Sequence, residues 1–207
     1  MKKVDVYDKD IRKILIKNFT GIQAYMSDTS TVVVNELDVC FGAARIDLAV
    51  VNGQLHGYEI KSEKDTLARL PAQIEIYNKV FDTLTLVVSE NHYPRAMKMI
   101  PEWWGVLCVR KKEGSLTVET IREASINNKI EPLHLTQFLW KNELLELLEQ
   151  SNVIKGIKSK TRIQLGRMVT KKVSEEHLFE FVRNKLKTRD DWKALQLPQL
   201  CDDLQQL

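Results

Sequence analysis

The sequence predicts an α/β protein: a mixed sheet flanked by helices, followed by an all-helical basic region. Three observations point there. Over the first 130 residues helical spacing alternates with short β-branched runs, in the order helix, three strands, helix, strand, helix, strand. Beyond Glu131-Pro132 the texture turns leucine-rich and helical. Charge divides along a similar line. Residues 151–193 carry twelve Lys and Arg against five Asp and Glu, a balance of +7; the remainder carries nineteen against twenty-three, a balance of −4 within a net +3. A soft boundary at residues 128–136 separates a core over 1–130 from a helical region over 131–207. At 207 residues the chain can hold one medium domain, or one with a small appendage.

The elements follow in order. Residues 7–19 read as a helix, because Ile11, Leu15 and Phe19, joined by Ile14, recur at helical spacing. Residues 31–34 are β-branched and read as a strand continuing toward Val39, broken by Phe41-Gly42-Ala43. A hairpin follows in RIDLAVVNGQLHGYEIK, residues 45–61, with Asn52-Gly53 as its turn signal. Its register decides which side chains share a face. A two-residue loop at Asn52-Gly53 would set Asp47 opposite Tyr58 and Glu59 on the other face. An odd loop, Val51-Asn52-Gly53 with Gly53 left-handed in a bulge, would gather Asp47, Gly57, Glu59 and Lys61 on one face. Gly57, lacking a side chain, would then leave room beside the cluster. After Ser62-Glu63-Lys64-Asp65 a helical turn runs through Leu70, and Pro71 begins a helix with an apolar stripe of Ile74, Tyr77 and Phe81. Residues 83–89 and 104–109 read as strands joined by a short helix near 95–100, and residues 116–121 as an edge strand. Later, Leu139, Leu144, Leu147 and Leu148 mark one helix, and Ile163, Leu165 and Met168 a second. Ser174 caps a third, whose first turn carries Glu175 and Glu176, where acids are favoured.

Composition narrows the function classes. The chain is 43% hydrophobic and 29% charged, ordinary for a globular protein. No apolar run approaches membrane-spanning length. Met1-Lys2-Lys3 is followed by Val4-Asp5-Val6-Tyr7-Asp8, which is no signal-peptide core. Cys40, Cys108 and Cys201 are odd in number, far apart and form no ligand cluster, so they are expected reduced and partly buried, in a cytoplasmic protein.

Acids and a lysine inside apolar strands need a reason, and the usual one is a metal site, since carboxylates suit hard divalent cations. Asp47, eleven intervening residues, then Glu59-Ile60-Lys61 resembles the D…(E/D)-x-K signature of the PD-(D/E)XK nuclease superfamily. The local text is similar to an uncharacterised bacterial branch related to the virus-type replication-repair nucleases. Glu36 fits that branch's carboxylate upstream of the hairpin, and Gln73 with Tyr77 fits its Q-x-x-x-Y helix. Ile46 stands where the superfamily name has proline. The resemblance implies a restriction-endonuclease-like core and a nuclease dependent on magnesium or manganese that hydrolyses DNA phosphodiester bonds.

Phosphodiester hydrolysis needs a neutralised phosphate and an activated water. Asp47 and Glu59 on one face can hold Mg2+, with the Ile60 carbonyl as a third oxygen, because magnesium keeps several waters of its own. Lys61 would orient or help deprotonate the attacking water and bind phosphate. Glu36 would complete the metal shell or hold a second ion. In the family reading Gln73 and Tyr77, four apart and so on one helix face, hydrogen-bond Lys61 or the scissile phosphate. The plainer alternative for the triad is a structural ion pair of Lys61 with Asp47 or Glu59. Tyr77 also fits the apolar stripe, whereas Gln73 gains little from burial. Asp8, Asp10 and Arg12 are weaker candidates, although an acid from the first helix serves some nucleases of this superfamily. His56 reads as a packed or surface histidine, and Trp103-Trp104 as core.

Arg45, Lys64 and Arg69 are candidate phosphate-backbone contacts. Residues 144–168 resemble the helix–extended link–helix of a SAP-type module, in which Lys155, Lys158, Lys160, Arg162 and Arg167 would face phosphate. A helical cap on the core competes with that organisation. The expected partner is a nucleic acid, DNA foremost, with no membrane; a homodimer or a protein partner stays open. Two further functions fit the same residues: a non-catalytic nucleic-acid-binding protein on this fold, and an interaction subunit whose basic helices bind an acidic protein.

Overall fold

The structure, a computed structural model, describes residues 7–112, 115–189 and 194–196. Helix α1 (Asp8–Phe19) and the single turn α2 (Gln23–Met26) precede an antiparallel meander of β1 (Val32–Val39), β2 (Ala44–Val51) and β3 (Leu55–Lys61). Helix α3 (Leu70–Tyr77) crosses to β4 (Thr83–Ser89), α4 (Tyr93–Ala96) crosses to β5 (Gly105–Lys112), and β6 (Ser115–Arg122) folds back along the edge. Then come α5 (Pro132–Leu135), α6 (Lys141–Gln150), α7 (Arg162–Lys172), α8 (Glu175–Thr188) and β7 (Ala194–Gln196). The strands form one sheet in the order β6-β5-β4-β3-β2-β1-β7, with β3, β4 and β5 mutually parallel and the other neighbours antiparallel. This is the mixed sheet flanked by helices that the alternating pattern predicts. Among the described residues no helix is long and apolar enough to cross a membrane.

The sheet buries both faces. On one, Ile11, Leu15 and Phe19 of α1 pack with Tyr25 over Val33, Leu48, Val50, Tyr58 and Ile60. On the other, Leu70 and Tyr77 of α3 share a single cluster with Val34, Ala49, Leu84, Leu86 and Trp104, and with Leu144, Leu147, Leu165, Val169, Leu178 and Val182 of the C-terminal helices. Those helices therefore cap the sheet. Their basic residues are partly spent on holding them there. Arg183 pairs with Asp82 at 2.9 Å, Lys187 with Asp28 at 2.8 Å, Lys185 with Glu146 at 2.8 Å and Arg189 with Glu143 at 2.7 Å. The +7 balance thus overstates the cationic surface, because several of its charges face acids inside the protein.

Five local expectations are corrected. The final region is not all helical, since β7 pairs with Val32–Val34 at the edge of the sheet; three residues carry no periodicity to reveal it. The hairpin loop is odd, as a shared face requires, but it comprises Asn52, Gly53 and Gln54, with Val51 paired to Leu55. Gly53 is not left-handed. The turn is closed by Asn52, whose Oδ1 accepts from the Gln54 N–H at 2.9 Å and whose N–H donates to the Gln54 carbonyl at 3.1 Å. That register sets Asp47 level with Glu59, and Gly57 opposite Ala49. Gly57 leaves no room either: a Cβ there would stand 2.7 Å from Leu84 Cδ2. Finally, residues 62–69 form turns rather than a helical turn, with the Ser62 N–H and hydroxyl donating to Asp65 at 2.8 and 2.6 Å. Helix α3 stops at Tyr77, so Phe81 lies beyond it, fully buried and edge-to-face with Tyr77 at 5.9 Å.

Candidate functional site

β2 and β3 stay paired from the turn to Leu48 and Tyr58, then part. Asp47 sits at the parting. Its Oδ2 accepts from the Ile60 N–H at 2.7 Å, so the side chain takes up a ladder donor that the diverging strand abandons. Arg12 reaches across from α1, donating to Asp47 Oδ1 at 2.9 Å and to the Asp47 carbonyl at 2.8 Å, while its Nε bonds Asp8. On the neighbouring strand Glu36 adopts a left-handed backbone, φ 50°, a conformation that costs free energy at a non-glycine residue and tends to collect at functional sites. Its carboxylate lies 3.5 Å from Arg45 and 4.0 Å from Arg12.

Glu59 and Lys61, 2% and 4% exposed, form an ion pair at 2.5 Å. Gln73 and Tyr77 do lie over this face, but they engage Glu59 rather than Lys61. Gln73 Nε2 donates to Glu59 Oε1 at 2.7 Å. The Tyr77 hydroxyl stands 2.9 Å from Glu59 Oε2 and 2.6 Å from the Arg45 carbonyl, sharing one proton between two acceptors. Tyr77 is thus both core and support. Gln73 Oε1, in contrast, is buried with no hydrogen-bond partner among the described residues.

Asp47, Glu59, Lys61 and Gln73 line one pocket of about 310 Å³, together with Asp8, Glu36, Arg45, Ile60, Asp65 and Arg69. Five carboxylates and three cations surround it. The imbalance shows at Asp47, whose carboxyl is pushed up to about 7 by burial first and by the Glu59 charge second, against the pull of the Ile60 N–H and Arg12. Burial and Glu59 also raise the Tyr77 phenol well above its ordinary value. Among the described residues no three or more His, Cys, Asp or Glu converge as a metal cage. The donors that could hold an ion are the Asp47 and Glu59 carboxylates and the Ile60 carbonyl, with Glu36 at the rim. They are all hard oxygens, as magnesium or manganese requires. Each Asp47 oxygen accepts one hydrogen bond and keeps further acceptor capacity. A buried carboxylate at Glu59, a half-buried one at Asp47 that repels it, and an unserved amide oxygen are features a hydrated cation would relieve, so the residues fit the group.

Other predicted residues fall elsewhere. Lys64 is exposed beside the pocket without lining it. Lys155 and Lys158 are exposed and Lys160 half-buried in the link between α6 and α7; Arg167 is exposed on α7; none lines the pocket. Arg162 departs from the phosphate-facing role expected of it. Its Nε donates to the Leu139 carbonyl at 2.7 Å, its Nη2 bonds the Gln137 carbonyl, and its guanidinium lies 4.8 Å over the Phe41 ring. His56 is packed: its nitrogens meet the Thr83 and Thr85 hydroxyls at 2.6 and 3.0 Å, and burial pushes it down to about 3. Cys40 is half-buried and Cys108 buried, both free, and Cys201 lies outside the described residues. The residue that sequence reasoning undervalued is Arg12. The available signal was a cation directly beside Ile11 on the buried stripe of α1, where a solvated charge gains nothing.

Against known proteins, the family model described as bacteriophage P4 protein cII matches residues 1–202. Protein cII of Enterobacteria phage P4 is 27% identical over 177 residues, which is 86% of this chain and 66% of that protein, so the match spans just under two thirds of the relative's length. Among solved structures, the SPO1766 protein of unknown function from Silicibacter pomeroyi aligns with a TM-score of 0.42 and 18% identity, over 63% of this chain and 80% of that one. With the family model matching nearly the whole sequence, this chain belongs to the bacteriophage P4 protein cII family.

Proposed function

We propose that this protein is a metal-dependent nuclease of the PD-(D/E)XK kind, hydrolysing phosphodiester bonds of DNA. The observation that carries the proposal is the pocket at the parting of β2 and β3. It brings Asp47, Glu59 and Lys61 together and holds two carboxylates in mutual repulsion, with Asp47 raised to about 7. Mg2+ or Mn2+ would be held by Asp47, Glu59 and the Ile60 carbonyl, with Glu36 near; when bound it supplies charge neutralisation and a more acidic water. The protein's own groups have separate tasks. Arg12 and the Ile60 N–H fix the Asp47 carboxylate. Gln73 Nε2 and the Tyr77 hydroxyl fix Glu59, so that little reorganisation is needed during reaction. The free Gln73 Oε1 can accept a hydrogen bond from the attacking water and orient it. Lys61 Nζ would bind a phosphate oxygen, and Arg45 and Arg69 at the rim would hold neighbouring phosphates. The free cysteines suit a cytoplasmic setting.

Incubation with linear duplex, single-stranded and branched DNA in Mg2+, Mn2+ or EDTA tests this: metal-dependent cutting is expected, lost in Asp47→Asn. One observation favours a second function. The Lys61–Glu59 contact is also what a purely structural ion pair would look like, and a non-catalytic nucleic-acid-binding protein on this fold could retain it. Binding without cutting in any metal, and without Mn2+ uptake at the pocket, would select that function.

A further inference from the structure

A second cleft, of about 490 Å³, adjoins the first and shares Glu36 and Arg45 with it. Two aromatic rings stand on its walls. Phe41 is 53% exposed at the tip of the β1–β2 turn, and Trp140 is 45% exposed just before α6. Neither contributes much to the core. Phe41 is displayed at a cost, because Cys40 and Phe41 both adopt left-handed backbones, φ 53° and 56°, ahead of Gly42, which takes φ 80° without penalty. A guanidinium backs each ring: Arg162 lies 4.8 Å from the Phe41 centroid and Arg189 4.2 Å from that of Trp140. Carbonyl oxygens of Leu139 and Gln137 hold Arg162, and Glu143 holds Arg189, so both cation–aromatic pairs are preorganised. The acids on the cleft wall, Glu36 and Asp38, both face Arg45, at 3.5 and 2.8 Å.

We propose that this cleft binds unpaired bases of a single-stranded nucleic acid and leads that strand into the Asp47–Glu59–Lys61 pocket. Exposed rings on two separate elements, with planar guanidinium groups beside them, are stacking platforms for bases, and every base has a face to offer. The cleft lies in the size range of ordinary ligand pockets. A base inside a duplex is already stacked and paired and cannot enter. The substrate class is therefore a single strand or the unpaired tail of a duplex. What happens to the strand rests on the nuclease proposal; its binding does not.

The test is fluorescence anisotropy with a labelled oligothymidine and a blunt duplex of equal length, in EDTA, for wild type, Phe41→Ala, Trp140→Ala and Trp140→Phe. The single strand is expected to bind at least about tenfold more tightly than the duplex. Each alanine variant should weaken single-strand binding by about tenfold or more and leave duplex binding unchanged, while Trp140→Phe, which keeps a ring, retains most of it. Phe41 is largely exposed, and the Trp140 N–H that bonds Glu143 is backbone, so both variants should melt as wild type does. Equal affinity for both nucleic acids, or alanine variants that bind like wild type, would overturn the proposal, as would a normally melting chain that binds neither. Aromatic-dependent binding with no cleavage in any metal would defeat only the nuclease assignment. Duplex cleavage with no single-strand preference and no effect of Phe41→Ala would defeat only this one.

Discussion

Asp47→Asn should remove a pH dependence from the stability of the metal-free protein. An aspartate in the unfolded chain ionises near 3.9, whereas Asp47 in the fold does so at about 7. Between those values the folded chain keeps a proton that the unfolded chain releases. Stability therefore falls as pH rises from about 4 through 7, and levels off above. The full shift corresponds to about 4 kcal/mol, an upper bound because the side chain is 23% exposed and keeps some contact with water. Asparagine does not titrate. It retains an acceptor for the Ile60 N–H and never carries a charge facing Arg12, so its own contribution to stability does not change with pH. Urea unfolding of both chains in EDTA from pH 4.5 to 8.5 isolates the effect, since groups remote from the pocket cancel in the difference. The wild type should lose about 2–4 kcal/mol relative to the variant across that range. Millimolar Mg2+ at pH 8 should restore stability to the wild type alone. A difference that stays flat with pH, or grows in favour of the wild type, would refute the electrostatic picture of the pocket.

Three further outcomes follow from named contacts. Glu59→Gln or Lys61→Met alone each strand a buried charge and should cost about 3–5 kcal/mol, and the double variant should recover much of it, as read by a double-mutant cycle in chemical denaturation. For that reason lost cleavage in a Lys61 variant is informative only beside a normal melting curve. Tyr77→Phe removes the hydroxyl shared by the Arg45 carbonyl and Glu59 and should cost about 1–3 kcal/mol in the same assay while lowering kcat more than it changes KM. Gly105→Ala would drive a Cβ to 2.7 Å from Thr85 Oγ1 and 2.9 Å from the Ala124 nitrogen; about 1–3 kcal/mol lost in thermal melts is expected.

Much of the core was legible because its signals are local. The β-branched run ahead of Val39, the Asn52-Gly53 turn and the stripe of Ile11, Leu15 and Phe19 each report a backbone period. The triad was legible because charge inside an apolar strand is conspicuous. What stayed hidden depends on geometry between elements. The left-handed backbones at Glu36, within β1, and at Phe41, in the turn after it, are announced by neither residue type. The splitting of β2 from β3 at Asp47, which lets a side chain replace a ladder bond, follows from how the two strands diverge. The C-terminal charge misled for the same reason. Arg183 meets Asp82 across 101 residues and Lys187 meets Asp28 across 159, so a local count saw cations and could not see their partners. Arg162 and Arg189 likewise look like surface charges in the sequence, yet they brace the rings of Phe41 and Trp140.

The decisive measurement is cleavage of single-stranded, tailed and duplex DNA by wild type and by Asp47→Asn in Mn2+, with the melting of both chains recorded alongside. A nuclease built on this pocket cuts only with the metal present, is silenced by EDTA and falls to background in Asp47→Asn while that chain remains folded. Cutting that persists in the variant, or a wild type that binds DNA but cuts none of the substrates, would show that the two carboxylates at the parting of β2 and β3 are not a catalytic centre.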